Sequence, residues 1–153
     1  MKIFLKVDGE WKPFEYNNLA DLAAEFAKRN IIIGEGAIIC EGAIIGARAV
    51  ICTGAYIGEG AIIGTGAYIG EGAYIGARAS IDEWARIGEG AYIGTGARIS
   101  ARAYIGTGAY IGEGAYIGEG AIIDARARID ARARIGEGAS IDKDEAGMPT
   151  LRN

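Results

Sequence analysis

Residues 63–75 read IGTGAYIGEGAYI, and the same six-residue phrase runs outward from them in both directions. Isoleucine stands at 33, 39, 45 and every sixth position to 141, and alanine stands two residues before each from Ala37 to Ala139. A strand sends alternate side chains to opposite faces, so the Ala and Ile of each phrase share one face and the residue between them takes the other. Three residues are left for a corner. No single phrase can bury its apolar side, whereas stacked copies bury a continuous core, so the repeat is read as an all-β solenoid. Isoleucine fills the middle of each wall, and the small alanine fits where walls converge.

The corners come in two forms. Where the third corner residue is Gly, the second is Glu or Thr; where the third is Arg, the second is Ala, as in Ala47-Arg48 and Ala77-Arg78. Glycine suits a turn that needs positive φ. The Ala-Arg corners are expected to keep both residues at ordinary, negative φ. Only Asp82-Glu83-Trp84 and Asp142-Lys143-Asp144 depart from both forms.

Composition changes near Asn30. Before it, KIFLKV and EWKPFEY are two strand-like runs joined by Asp8-Gly9, a pair suited to a tight hairpin. Asn18 is a candidate helix N-cap, with Leu19, Leu22, Ala23 and Phe26 on one apolar stripe, so a helix is expected over 18–29. A hairpin and one helix are too small to stand alone and should cover the open first coil through Leu22 and Phe26. The expected division is a cap at 1–30, a repeat region at 31–142 and a charged tail at 143–153.

The chain has 153 residues, a formal net charge of −4, 26 glycines and no histidine. A mildly acidic balance gives no electrostatic reason to expect nucleic acid or an anionic membrane as partner. Lys6 and Asp8 interrupt the first apolar run, and no stretch is long enough for a membrane helix, so the expected location is cytoplasmic. Cys40 and Cys52 match no metal spacing and fall on different corners, which argues against a bridge between them.

The phrase I-G-x-G-A-x resembles the hexapeptide repeat of left-handed parallel β-helices, found in bacterial acyltransferases and γ-class carbonic anhydrases. The resemblance covers about 33–141. It implies three hexapeptides per coil, a triangular prism of about six coils, and left-handed crossovers in place of the usual right-handed ones. It also implies side-by-side packing of three prisms. The repeats here are more uniform than the family's degenerate ones, a regularity read as that of a consensus or computationally designed, recombinant solenoid.

The residues give little chemistry to carry over. Gly64, Gly66 and Gly70 are spaced one residue too long for a dinucleotide fingerprint. Family enzymes depend on histidine as base or zinc ligand, and none is present. Glu35, Glu59, Glu71, Glu89 and Glu113 fall on corner tips, where solvent is expected around them. The arginines at 126, 128, 132 and 134 alternate with no aromatic platform, a weak case for nucleic acid; with the charged tail they are read as guarding the end of the stack against edge-to-edge growth. Trp84 is the one bulky corner residue.

These readings add up to an expectation of a structural scaffold that is not an enzyme, with no catalytic residue, cofactor, metal or small-molecule substrate. The alternative is a catalytically silent or binding descendant of a trimeric acyltransferase. Sorting outward residues by coil places Ile38, Tyr56, Tyr74, Tyr92 and Tyr110 on one face, a candidate contact surface for a homo-oligomer, a trimer if family-like.

Overall fold

A computed structural model describes residues 1–143 and 149–152. The repeat region folds as a parallel solenoid of three sheets, each built by stacking strands that lie eighteen residues apart, such as Ile33 on Ile51 and Ile51 on Ile69. Each strand from Ile32–Ile33 to Arg134–Ile135 is only two residues long, the outward residue and its isoleucine. Every ladder is in register: Tyr74 lies between Tyr56 and Tyr92, and Ile75 between Ile57 and Ile93. Backbone N–H groups donate toward the C-terminal coil, as from Ile38 to Ala55 O at 2.9 Å and from Cys40 to Ile57 O at 2.9 Å.

The core is the pair of columns expected from the phrase. Ala43 through Ile123 are inaccessible, or nearly so, at every Ala and Ile of the repeat. Burying one such isoleucine contributes about 1.5–3 kcal/mol before backbone ordering is charged against it. The first and last coils are less closed: Ile33, Ala37, Ala133 and Ile135 are only partly buried.

Corners are hydrogen-bonded within and between coils. Ala73 N donates to Gly70 O at 3.1 Å across the turn, and Gly72 N to Thr53 O at 3.0 Å in the coil before. Glycine serves two distinct needs here. Gly72 has φ +66°, while a Cβ on Gly76 would sit 2.6 Å from the backbone N of Thr95 in the next coil.

The Ala-Arg corners differ from expectation. Arg48, Arg78, Arg102, Arg126 and Arg132 all have φ between 59° and 63°, as does Trp84 at 60°. Both corner forms therefore share one backbone, and arginine adopts the left-handed conformation normally given to glycine. At Arg78, Arg126 and Arg132 a glycine one coil earlier makes room: a Cβ on Gly60 would be 3.6 Å from Arg78 Cγ, and one on Gly108 would be 3.4 Å from Arg126 Cγ, whereas Asn30 and Trp84 precede Arg48 and Arg102 in their columns. At those three the aliphatic stem packs over the bare glycine and offsets the backbone cost.

The cap also does more than cover. β1 (Lys2–Val7) and β2 (Glu10–Glu15) form the expected hairpin, with Asp8 and Gly9 at φ 49° and 86°. β1 then pairs parallel with the strand at Ile44, so the hairpin extends one sheet of the prism to eight strands. The helical segment begins as a 3-10 turn, Leu19–Leu22, and continues as α1 (Ala23–Lys28). Asn18 Oδ1 accepts from Ala20 N at 2.9 Å while Asp21 accepts from Asn18 N at 3.1 Å, a reciprocal cap. Leu22 and Phe26 are buried against the first coil, as expected.

At the other end, Pro149–Arg152 pairs antiparallel with Ser140–Lys143, so part of the expected charged tail adds a strand to the sheet. Of the irregular corner, Asp142 and Lys143 end the strand Ser140–Lys143, and Asp144 lies outside the described residues. No helix among the described residues is long and apolar enough to cross a membrane.

Candidate functional site

In a chain this regular, irregularity is the first guide to a site. The corner Asp82-Glu83-Trp84 replaces the glycines of its neighbours, and it lies beneath the N-terminal hairpin. The turn of β1 and β2 brings Lys6 and Trp11 over the sheet that carries Ile62, Ser80 and Arg98, because β1 is itself a strand of that sheet. Between hairpin and corner is a cleft of about 350 Å³ bounded by Lys6, Trp11, Ile62, Thr65, Asp82 and Glu83. Both tryptophans of the chain thus stand at this corner: Trp11 on the cleft wall, and Trp84 packed on the bare Cα of Gly66.

Asp82 is held from two sides. Ser80 Oγ donates to Oδ1 at 3.0 Å, and an Arg98 guanidinium nitrogen lies 3.3 Å from Oδ2. The carboxylate is half-buried while Arg98 is largely solvated, so the pair fixes orientation more than it adds stability. Lys6 Nζ lies 5.6 Å from the centre of the Trp11 ring. A carboxylate of fixed orientation, a cation and an exposed indole therefore border one cleft. Sequence reasoning missed this grouping; its one signal was the departure of 82–84 from the corner pattern.

A second, larger cleft of about 760 Å³ opens between α1 and the first coil, lined by Leu19, Ala23, Phe26, Ile33 and Ile38. Beneath it the Tyr16 hydroxyl donates to Ile39 O at 2.7 Å, and burial, with Glu41 and Cys40 nearby, pushes this phenol's pKa up. Its polar lining is Tyr16, Asn17, Asn18 and Glu35.

The outward tyrosines stand where the coil register put them. Tyr56, Tyr74, Tyr92 and Tyr110 stack with ring centroids 4.9 Å apart and planes within 3° of parallel. Ile38 precedes them on the ladder, and the Arg128 guanidinium covers Tyr110 at 4.5 Å. Burial first, then the neighbouring phenols, raises the pKa of Tyr92. Cys40 Sγ donates to the Tyr56 hydroxyl at 3.2 Å and raises that phenol's pKa. Both cysteines are free thiols. Glu35, Glu59, Glu71, Glu89 and Glu113 are exposed on corner tips.

Comparison with known proteins follows the prism. The family described as Bacterial transferase hexapeptide (six repeats) matches residues 36–71 and 66–101. No curated protein matches the chain. Among solved structures, a GDP-perosamine N-acetyltransferase mutant from Caulobacter crescentus, in complex with CoA and GDP-perosamine, superposes with TM-score 0.71 at 18% identity. That match covers 90% of this chain and 65% of the other, so the chain spans about two-thirds of its relative's length. A mutant of AntD, an N-acyltransferase from Bacillus cereus in complex with dTDP and coenzyme A, superposes with TM-score 0.67 at 13% identity, covering 90% and 89% of the two chains.

At such identities the likeness shows the fold. It nevertheless overturns the expectation of a chain that is not an enzyme, because the matched family is a transferase family and the neighbours are acyltransferases holding CoA. The expectation of no small-molecule substrate conflicts with the same findings. Uniform repeats and missing histidine are therefore no ground for excluding chemistry. The repeat, the family match over 36–101 and the stacked prism together show that this chain has the left-handed parallel β-helix fold built from hexapeptide repeats.

Proposed function

We propose that the chain transfers an acyl group from a coenzyme A thioester to an amine, at the cleft beside Asp82. The observation that carries this reading is the coincidence of the irregular corner with the cleft that Lys6 and Trp11 border. The residues fit the parts of such a donor. An exposed indole suits the adenine, Lys6 suits the phosphates, and the exposed Ile62 suits the pantetheine arm. The cleft is near the lower end of ligand-pocket sizes, so it takes the thioester and acceptor while the nucleotide lies outside over Trp11.

With no histidine, proton transfer falls to a carboxylate. The amine nitrogen attacks the thioester carbonyl, its N–H proton passes to Asp82, the C–S bond breaks, and the thiolate leaves to be protonated. Ser80 and Arg98 keep Asp82 aimed without using all of its lone pairs. Holding donor and amine together accounts for much of the acceleration.

The test is thioester consumption by the full chain with acetyl-CoA and a panel of sugar and alkyl amines. Consumption should exceed the protein-free rate, and Asp82→Asn should lower it about 10²-fold with CoA binding by calorimetry retained. No consumption with any amine, or an unchanged rate in the variant, would overturn the assignment.

A further inference from the structure

The N-terminal end of the prism is finished on one sheet and left open on the next, a difference the acyl-transfer reading does not use. On the sheet of Ile44–Ile45, β1 lies along the edge as a further strand. Gly42 N donates to Lys2 O at 2.9 Å, and Phe4 N donates to Ala43 O at 2.8 Å. The parallel register of Phe4 on Ile44 turns Ile45 N–H toward β1 as well. Between these two contact residues, Ile3 is fully buried in the core. The corner that follows is also closed, by Arg48 N donating to Arg29 O at 2.9 Å.

Six residues earlier in the repeat, the same three groups recur as Gly36 N, Ala37 O and Ile39 N. Here the sheet of the tyrosine ladder ends, at Ile38–Ile39. Among the described residues nothing accepts from Gly36 N or Ile39 N, and nothing donates to Ala37 O. Ile39 is only 2% exposed, and buried backbone groups are nearly always paired. The large cleft under α1 opens on this edge, for Gly36, Ala37 and Ile39 line it together with Ile33, Leu19 and Phe26. The Tyr16 hydroxyl already occupies Ile39 O at 2.7 Å, which sets where the open edge stops.

We propose that this edge takes an extended segment of a partner protein as an added parallel strand. One carbonyl of the segment accepts from Gly36 N. Two residues on, its N–H donates to Ala37 O and its carbonyl accepts from Ile39 N. The residue between is apolar and enters the cleft, as Ile3 enters the core beside it. The backbone bonds supply affinity, and the cleft selects the side chain. A fatty chain would fill the apolar cleft but leave all three backbone groups unpaired, so the occupant is a peptide.

The probe is acetyl-KIFLK-amide, the sequence of residues 2–6, titrated into the labelled full chain and followed by NMR, with solution mass from light scattering. In the free chain the Ile39 amide should exchange with solvent faster than Ile45. With peptide, the Gly36 and Ile39 resonances should shift to saturation and Ile39 exchange should slow. Methylating the phenylalanine nitrogen of the peptide removes the donor to Ala37 O and should weaken binding about tenfold or more. Ala23→Trp, an exposed position on α1 that lines the cleft, should also weaken it while circular dichroism stays unchanged. No saturable shift, equal binding of the methylated peptide, or Ile39 as protected as Ile45 in the free chain would each overturn the proposal. So would shifts centred on Gly42 and Ile45, meaning that the peptide displaces β1, or a mass showing a second copy already seated on the edge.

Discussion

A single Cβ decides what each corner position tolerates. Gly76 and Gly72 are both corner glycines, yet they are needed for different reasons. At Gly76 the clash is with backbone, which cannot rotate away, so Gly76→Ala must push two coils apart. At Gly72 the space is open and only the left-handed φ is unfavourable, at about 1–2 kcal/mol. Urea denaturation should therefore show Gly76→Ala well below Gly72→Ala in stability; equal losses would mean the coils are not so closely set. Arg78 extends the same argument, since its stem lies over Gly60 and Gly60→Val should cost more than Gly96→Val, where no atom stands within 4 Å. The positive φ of these arginines was not legible in the sequence. Arginine ordinarily avoids that region, and at Arg78, Arg126 and Arg132 the stacked glycine one coil earlier makes room for the stem.

Among the elements, the cap shows most clearly what pattern can and cannot reveal. The hairpin turn at Asp8-Gly9 and the stripe of Leu22 and Phe26 were legible, because each rests on local rules of turn chemistry and helical period. That β1 would join the prism as a strand was not, because pairing with Ile44 depends on how the cap docks. That docking also decides the candidate site: Lys6 and Trp11 sit far from Asp82 in sequence, and no local signal links them. Phe26→Ala should cost about 3–5 kcal/mol, read as a lower denaturation midpoint, and should expose the first coil. Asn18→Ala should cost only about 1 kcal/mol, since it removes one capping bond. A Phe26 variant as stable as the parent would show that α1 does not seal the prism.

For the whole molecule, stacking makes charge on one rung felt by the next. The Tyr92 phenol has its pKa raised by burial and by Tyr74 and Tyr110 on either side. A group whose folded pKa lies above its unfolded value contributes stability that is complete below the unfolded pKa of about 10 and is lost as pH rises through the folded one. Denaturation midpoints should thus hold from neutral pH to about 10 and fall above it, and Tyr92→Phe should shrink the fall. A midpoint that rises in alkali would contradict the stacked ladder.

The central claim is that a prism of near-identical coils carries one working site, where the corner at 82–84 breaks the pattern beneath the hairpin. Its most direct test is the footprint of CoA on the backbone amides of the labelled full chain by NMR. The account predicts shifts that saturate and cluster at Lys6, Trp11, Thr65, Asp82 and Glu83, with the equivalent regular corner at Gly118-Glu119-Gly120 unmoved. Shifts clustered in the cleft under α1, spread evenly over the repeats, or absent at millimolar CoA would contradict it.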